Sequence, residues 1–219
     1  LAVCAAAFAL VYWVLSRTFL ATATMGRTVR RAKKLDWSRT DRRRPIQAIT
    51  GKEWKKFLGT PVYLTNMGLG LIFTALLPIL GLVFRSNLML LVHLFGLSGG
   101  VLAAILCAGL CYVSSMSLIS TPSVSLEGKN FWILRSMPVS SKTILLGKLR
   151  LHLLCCVPLN VLSGLVLALA YGCGPINALL ASLIPGLFGV LSGVLGLVFG
   201  LKWARFDYIS EAYPCKQSG

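Results

Sequence analysis

Acidic residues are scarce in this chain: six Asp and Glu stand against 22 Lys and Arg, for a formal net charge of +16. Charge of either sign is absent from residues 1–16, 57–84, 86–126 and 151–201. Spanning a bilayer as a helix takes about 20 mostly apolar residues, because unpaired backbone N–H and C=O groups are too costly in hydrocarbon. A soluble domain has no use for uncharged stretches of this length. The sequence therefore specifies an all-α, polytopic membrane protein. Only 13% of residues are charged, about half the share usual in soluble domains, and mean hydropathy is +0.78. A basic excess of this size ordinarily raises the question of nucleic acid. Here Lys and Arg flank the apolar runs, as they do on the cytoplasmic side of membrane proteins, and no nucleic-acid role is expected.

Other absences narrow the chemistry. The uncharged runs weigh against a transporter that relays protons or ions through intramembrane carboxylates. The two histidines, His93 and His152, fall near opposite membrane faces, read as interfacial residues, and are not placed to share a metal. Three Gly-Lys pairs occur, at Gly51–Lys52, Gly128–Lys129 and Gly147–Lys148. None is followed by Ser or Thr and none has Gly five residues before it, so there is no phosphate-binding loop. The Ser/His, Asp/Asp or metal constellations of membrane proteases are missing too. No catalytic residue, cofactor or metal is indicated, and any ATP is expected to be hydrolysed by another polypeptide. Five of the seven cysteines lie in or near apolar runs and read as small packing residues, with no disulfide framework. Cys107 and Cys111 share a helix face, but no His or carboxylate accompanies them to complete a metal site.

What is present is an ordered alternation. Five spans are expected, roughly Leu1–Leu20, Pro61–Phe84, Phe95–Ile119, Leu151–Ala170 and Ile176–Leu201. Residues 21–60 hold twelve Lys or Arg, the turn around Arg85 one, residues 120–150 five, the turn at Tyr171–Pro175 none, and the tail after Leu201 three. Basic-rich and basic-poor connections alternate strictly. By the positive-inside tendency, the start is outside and residues 21–60, 120–150 and 202–219 are cytoplasmic. The first apolar run is under way at Leu1, without a charged n-region or small-residue cleavage site. It does not read as a secretory signal, and the chain is expected to be a segment of a longer protein.

Within the first basic connection, Gly26–Arg44 reads as a solvated stretch facing lipid headgroups. Beyond it, Ile46, Ile49, Trp54 and Phe57 share one side of a helical wheel, with Lys52, Lys55 and Lys56 opposite, as in a helix lying in the membrane interface. Glu53 lands on the apolar side, where it either pairs with a Lys or faces a protein partner. Spans two, four and five contain Pro78, Pro158 and Pro185, each removing a helical hydrogen bond that neighbours must make good. In span five, Gly186, Gly189, Gly193, Gly196 and Gly200 form a continuous seam on which another helix backbone can approach closely, in this chain or in another.

The connection at residues 120–150 carries Phe131, Trp132, Ile133, Leu134 and Met137, too many apolar groups for a solvated linker. Ser123 or Ser125 can cap a short helix with Glu127 in its first turn, Pro138 ends it, and Ser140 or Ser141 can cap the next helix. Such a helix is buried against something, either the membrane surface or a cytoplasmic partner.

The string SLEGKNFWILRSMPVSSKTILLGKL, in which Ser125, Glu127, Gly128, Lys129, Trp132, Leu134, Pro138 and Lys148 match in order, resembles the cytoplasmic loop of bacterial ABC exporter permeases of the second type, in a mainly Gram-positive subgroup. GKEWKKFLGTPVYLTNMGLG is similar to the interfacial helix before a span in that subgroup, and LKWARFDYISEAYPCKQS to the polar segment after a later span. The resemblance covers the chain from about Gly51 onward. It implies a single, partial permease domain in a bacterial plasma membrane, an ABC ATPase subunit on the cytoplasmic side, and a second permease half or homodimer partner. Loop chemistry and resemblance together make Glu127, Gly128, Lys129, Phe131, Trp132 and Arg135 the candidate partner contacts, with Glu127 and Lys129 expected to project from the membrane surface. The expected function is that of a transmembrane exporter subunit whose spans re-pack along seams such as the glycines of span five. A non-transporting membrane scaffold or immunity-type protein is the alternative.

Overall fold

The computed structural model describes residues 44–208 and 212–217, together with Ala9, Tyr12 and Trp13. The chain divides into two units, Leu1–Arg42 and Arg43–Gly219. In the first, Ala9, Tyr12 and Trp13 are helical; the expected span Leu1–Leu20 and the basic stretch after it otherwise lie outside the described residues. The second unit is built of helices, with no strand among its described residues. In chain order they are α1 (Pro45–Gly59), α2 (Pro61–Val83), α3 (Arg85–Leu94), α4 (Gly99–Ser114), a single turn α5 (Pro122–Ser125), α6 (Phe131–Ser136), α7 (Ser141–Ala170), α8 (Pro175–Lys202) and α9 (Ala212–Gln217). A short 3₁₀ turn at Gly128–Asn130 leads into α6.

Local chemistry sets the starts. Proline takes the first position of α1, α2 and α8, where its missing N–H costs nothing. Ser98 and Ser140 cap α4 and α7, their hydroxyls accepting from Val101 N and Thr143 N. Met137, ahead of Pro138, is extended and separates α6 from α7.

Among the described residues, α2, α7 and α8 are long and apolar enough to cross a membrane. Their faces are arranged for lipid. Along α2, Gly68, Gly70, Thr74, Pro78 and Gly81 are buried while Leu69, Ile72, Phe73, Leu76, Ile79 and Leu80 are exposed. On α8 the glycines, Ala178, Ala181 and Ser182 face inward, and Leu187 is 67% exposed. Small residues inside and large aliphatics outside is the pattern of helices whose surroundings are hydrocarbon. This is a helical membrane protein.

Two expectations are corrected. The span expected at Phe95–Ile119 is a helix of only 16 residues, Gly99–Ser114, which rises about 24 Å against a hydrocarbon core of about 30 Å. The turn expected around Arg85 is instead the ten-residue helix α3, separated from α2 at Phe84 and from α4 by a turn at Gly96, whose φ of 59° suits glycine. The uncharged run 86–126 thus splits into two short helices and a buried loop, which hydropathy alone does not distinguish from one span.

At Pro78 the freed carbonyl is satisfied as membrane helices require. Pro78 has no N–H for the Thr74 carbonyl, and the Ser163 hydroxyl donates to that oxygen at 3.0 Å. Pro185 likewise leaves the Ala181 carbonyl without its helical donor. Gly164 of α7 sits so close to that oxygen that a Cβ there would overlap it.

Candidate functional site

The most heavily built part of the molecule lies where α1, the 115–128 segment and the start of α7 meet. Every residue from Ile119 to Gly128 is buried. Ser120 Oγ donates to the Gly193 carbonyl at 2.8 Å, and Cβ atoms at Gly196 or Gly200 would run into Ser120 and Thr121. Tyr63 donates to the Ile119 carbonyl at 2.5 Å. From the tail, the Arg205 amide donates to Ser125 Oγ, Tyr208 donates to the Leu126 carbonyl, and Phe206 stacks on Phe131 at 5.0 Å. What reads as a cytoplasmic connection is a segment clamped from several sides.

An ion cluster closes this joint. Lys148 of α7 is 2% exposed, and its three protons go to Glu53 Oε1 at 2.6 Å, Glu127 Oε1 at 2.7 Å and the Ser123 carbonyl at 2.9 Å. Lys52 donates to Glu127 Oε2 at 2.7 Å, with Lys56 3.6 Å from the same atom. Beside the cluster, Ile49 packs on Gly147, and Thr50 Oγ1 donates to the Gly147 carbonyl at 3.1 Å. One ammonium therefore fastens three pieces of chain that are far apart in sequence.

The two carboxylates are not equivalent. Burial pushes Glu127 upward, but the charge and hydrogen bond of Lys148, the hydrogen bond of Lys52 and the charge of Lys56 outweigh it and hold the group down at about 2. Glu53 is raised above the ordinary carboxylate range, because burial outweighs its single hydrogen-bonded cation, Lys148. Its Oε2 is buried without a hydrogen-bond partner. Lys56 is lowered, chiefly by burial, against the pull of Glu127 and Glu53. With all Lys148 protons engaged, the cluster is built to hold position rather than to transfer protons.

The sequence-derived residues scatter accordingly. Glu127 does not project: at 7% exposure it is an internal counter-ion, because three lysines converge on it. The capping roles expected of Ser123 and Ser125 are also not taken up: Ser123 donates to the Ser120 carbonyl and Ser125 accepts from Arg205. Gly128 has φ 53°, which breaks the helix expected to continue from Glu127, and a Cβ there would meet the Tyr208 hydroxyl at 3.0 Å. The Lys129 side chain lies outside the described residues. Phe131 is half-buried with Arg135 above its ring at 5.6 Å, Arg135 is exposed, and Trp132 is 65% exposed. On α1 the buried stripe is Ile49, Glu53 and Phe57, with Trp54 turned out, so the carboxylate rather than the indole faces α7.

Gly186, Gly189, Gly193, Gly196 and Gly200 are all buried against this same chain. Gly186 faces Val161, Gly189 faces Asn160, and Gly193 abuts the ring of His152. His152 is fully buried, not interfacial as expected. Its Nε2 lies 3.0 Å from the Gly189 carbonyl oxygen, a contact the missing glycine side chains make room for. Lys148, His152, Cys156, Asn160 and Ser163 follow at helical spacing on one face of α7, each reaching a different neighbour: Asn160 donates to Ser114 Oγ at 2.8 Å and to the Pro185 carbonyl at 3.0 Å. Helix α7 is the hub of the fold. The i, i+4 recurrence of polar residues was the available signal for this stripe, though it sits in a strongly apolar run.

Among the described residues, no group of three His, Cys, Asp or Glu side chains is placed to hold a metal. Compared with family models, with curated proteins and with solved structures, the chain matches none.

Proposed function

We propose that this chain is a transmembrane permease subunit of an ATP-driven exporter of the ABC type, partnered by a separate cytoplasmic ATPase and a second permease half. In this reading it has five spans, with the short α4 (Gly99–Ser114) standing in place of the longer third span, begins outside, and sits in a bacterial plasma membrane with residues 21–60, 120–150 and 202–219 in the cytoplasm. The observation that carries the proposal is the joint around Lys148. It fixes the base of the 120–136 segment to α7 and α1 while leaving Trp132, Ile133, Arg135 and Met137 exposed. A force applied to that exposed edge reaches the spanning helices through a buried ion cluster and a glycine seam rather than through a flexible linker. Conformational change on ATP binding then moves α7 and α8 as one body, in the class of rigid-body transitions. The seam is an internal joint of that body, not the surface along which it re-packs.

Supporting the reading are the basic connections, the loop string that resembles exporter permeases, and the exposed aromatic and basic edge that a partner would cover. The test is reconstitution: the chain, in its full-length form, with an ATPase encoded beside it, in liposomes. ATP-dependent movement of a lipid, peptide or drug, abolished by a hydrolysis-dead ATPase, is the expected result. Association without any ATP-dependent movement would favour the scaffold or immunity-type alternative.

A further inference from the structure

The structure carries a cavity of about 330 Å³ beneath α6, between that helix, the start of α7 and the end of α8. Its walls are mostly aliphatic, with Val124, Leu134, Val139, Leu145 and Leu201 among them, and its volume is at the lower end of those that hold small molecules. Lys148 forms part of the lining, but its protons are committed to Glu53, Glu127 and Ser123. Among the described residues lining it, Arg135, exposed on α6 with its guanidinium over the Phe131 ring, is the cation placed to meet a ligand. Lys142 and Lys202, both exposed, each adjoin a lining residue, Ser141 and Leu201. No acidic side chain is among the residues lining it.

The depth of this cavity is given by tryptophan. Trp132 on α6 and Trp203 directly after α8 are both exposed, Trp203 with the Lys202 ammonium 5.0 Å from its ring centre. Exposed Trp beside Lys and Arg at the ends of apolar helices marks headgroup level. An aliphatic cavity with a cationic rim at that level matches one chemistry: an acyl chain below an anionic headgroup.

We propose that this cavity binds a single anionic phospholipid of the leaflet on the basic side, its chain end between α6, α7 and α8 and its phosphate at Arg135. The bound lipid fills the space under α6 and so stiffens the exposed edge. The inference rests on the membrane character of the chain and not on the exporter reading.

Native mass spectrometry of the purified protein, titrated with palmitoyl-oleoyl phosphatidylglycerol or the corresponding phosphatidylcholine, tests it. Wild type should take up the first phosphatidylglycerol more tightly than phosphatidylcholine. Arg135→Gln, a surface change that leaves the fold intact, should weaken phosphatidylglycerol about 3- to 10-fold, the effect of about one basic residue at a membrane surface, and phosphatidylcholine, whose phosphate is offset by its own choline, by less. Leu145→Trp, which fills the cavity, should weaken both, with its melting temperature as the folding control. Equal affinity of wild type for the two lipids, or no change in Arg135→Gln, overturns the proposal. So does a photo-cross-linker at position 135 that yields no lipid adduct in native membranes.

Discussion

Replacing Lys148 by Met probes the joint most severely. Methionine preserves the length and apolar body of the side chain but, among the described residues, withdraws the one cation hydrogen-bonded to Glu53 and one of the three that serve Glu127. Glu127 keeps Lys52 at 2.7 Å and Lys56 at 3.6 Å, whereas Glu53 is left buried with no hydrogen-bonded partner on either oxygen. Removing one member of a buried ion pair costs about 3–5 kcal/mol. For a chain of this size that corresponds to a fall in melting temperature of about 6–20 °C. The loss should depend on pH in a defined direction. Without Lys148 the raised Glu53 carboxyl rises further, so the folded state binds a proton more readily than the unfolded one. Its stability is then highest at low pH and declines as pH rises through the folded-state value. The variant should therefore be less impaired at pH 5 than at pH 8. Adding Glu53→Leu should recover part of the loss, since an apolar replacement of both partners removes the orphaned charge. Thermal unfolding in detergent at the two pH values measures all of this. A melting temperature within about 2 °C of wild type for Lys148→Met at pH 8, or no recovery in the double variant, would refute the joint.

Other perturbations separate the remaining contacts. Ser163→Ala strands the Thr74 carbonyl beside Pro78 and should cost about 0.6–1.7 kcal/mol. In a Pro78→Ala background, where the helix can satisfy that carbonyl itself, the same change should cost less; equal costs in the two backgrounds would contradict the compensation. Gly193→Leu should destabilise by at least about 1–3 kcal/mol through overpacking against His152, so an unchanged unfolding midpoint would speak against a tight seam. Glu127, held at about 2 against an ordinary 4.5, contributes stability above pH 4.5 that is lost as pH falls toward 2. Glu127→Gln should lower stability at pH 7 and flatten the melting-temperature profile between those values; a profile as steep as that of wild type would count against the assignment.

How much of this was legible in sequence follows the range of the interactions. The glycines of α8 announce their packing face because helical periodicity is local and small residues are conspicuous among Leu and Val. The proline positions announce freed carbonyls for the same reason, but not their partners: nothing local ties Pro78 to Ser163. Glu53 could be seen to sit on an apolar face, yet its counter-ion lies 95 residues away on α7. The 119–128 segment misled more fully. Its serines read as caps on a surface helix, whereas they and their backbone are consumed by contacts to α8, Lys148 and the tail. The charge-free run 86–126 does extend well past the end of α4 at Ser114, a hint that this segment is interior. His152, Asn160 and Ser163 were hidden by apolar neighbours, since an average over a hydrophobic run conceals a single polar stripe. The end of α2 beside Arg85 was legible, whereas the helix α3 that follows it and the shortness of α4 depend on tertiary packing and leave no mark in hydropathy.

The central functional claim is that the exposed edge of α6, fixed to the spanning helices through Lys148, meets a cytoplasmic ATPase. Photo-cross-linking from position 132 in native membranes tests it most directly, with position 65 on the exposed face of α2 as the control. A cross-linked species containing a phosphate-binding-loop ATPase from position 132 alone, diminished by Arg135→Glu at unchanged melting temperature, is the result expected. Lipid adducts only, or equal yields of the ATPase adduct from both positions, would contradict the claim.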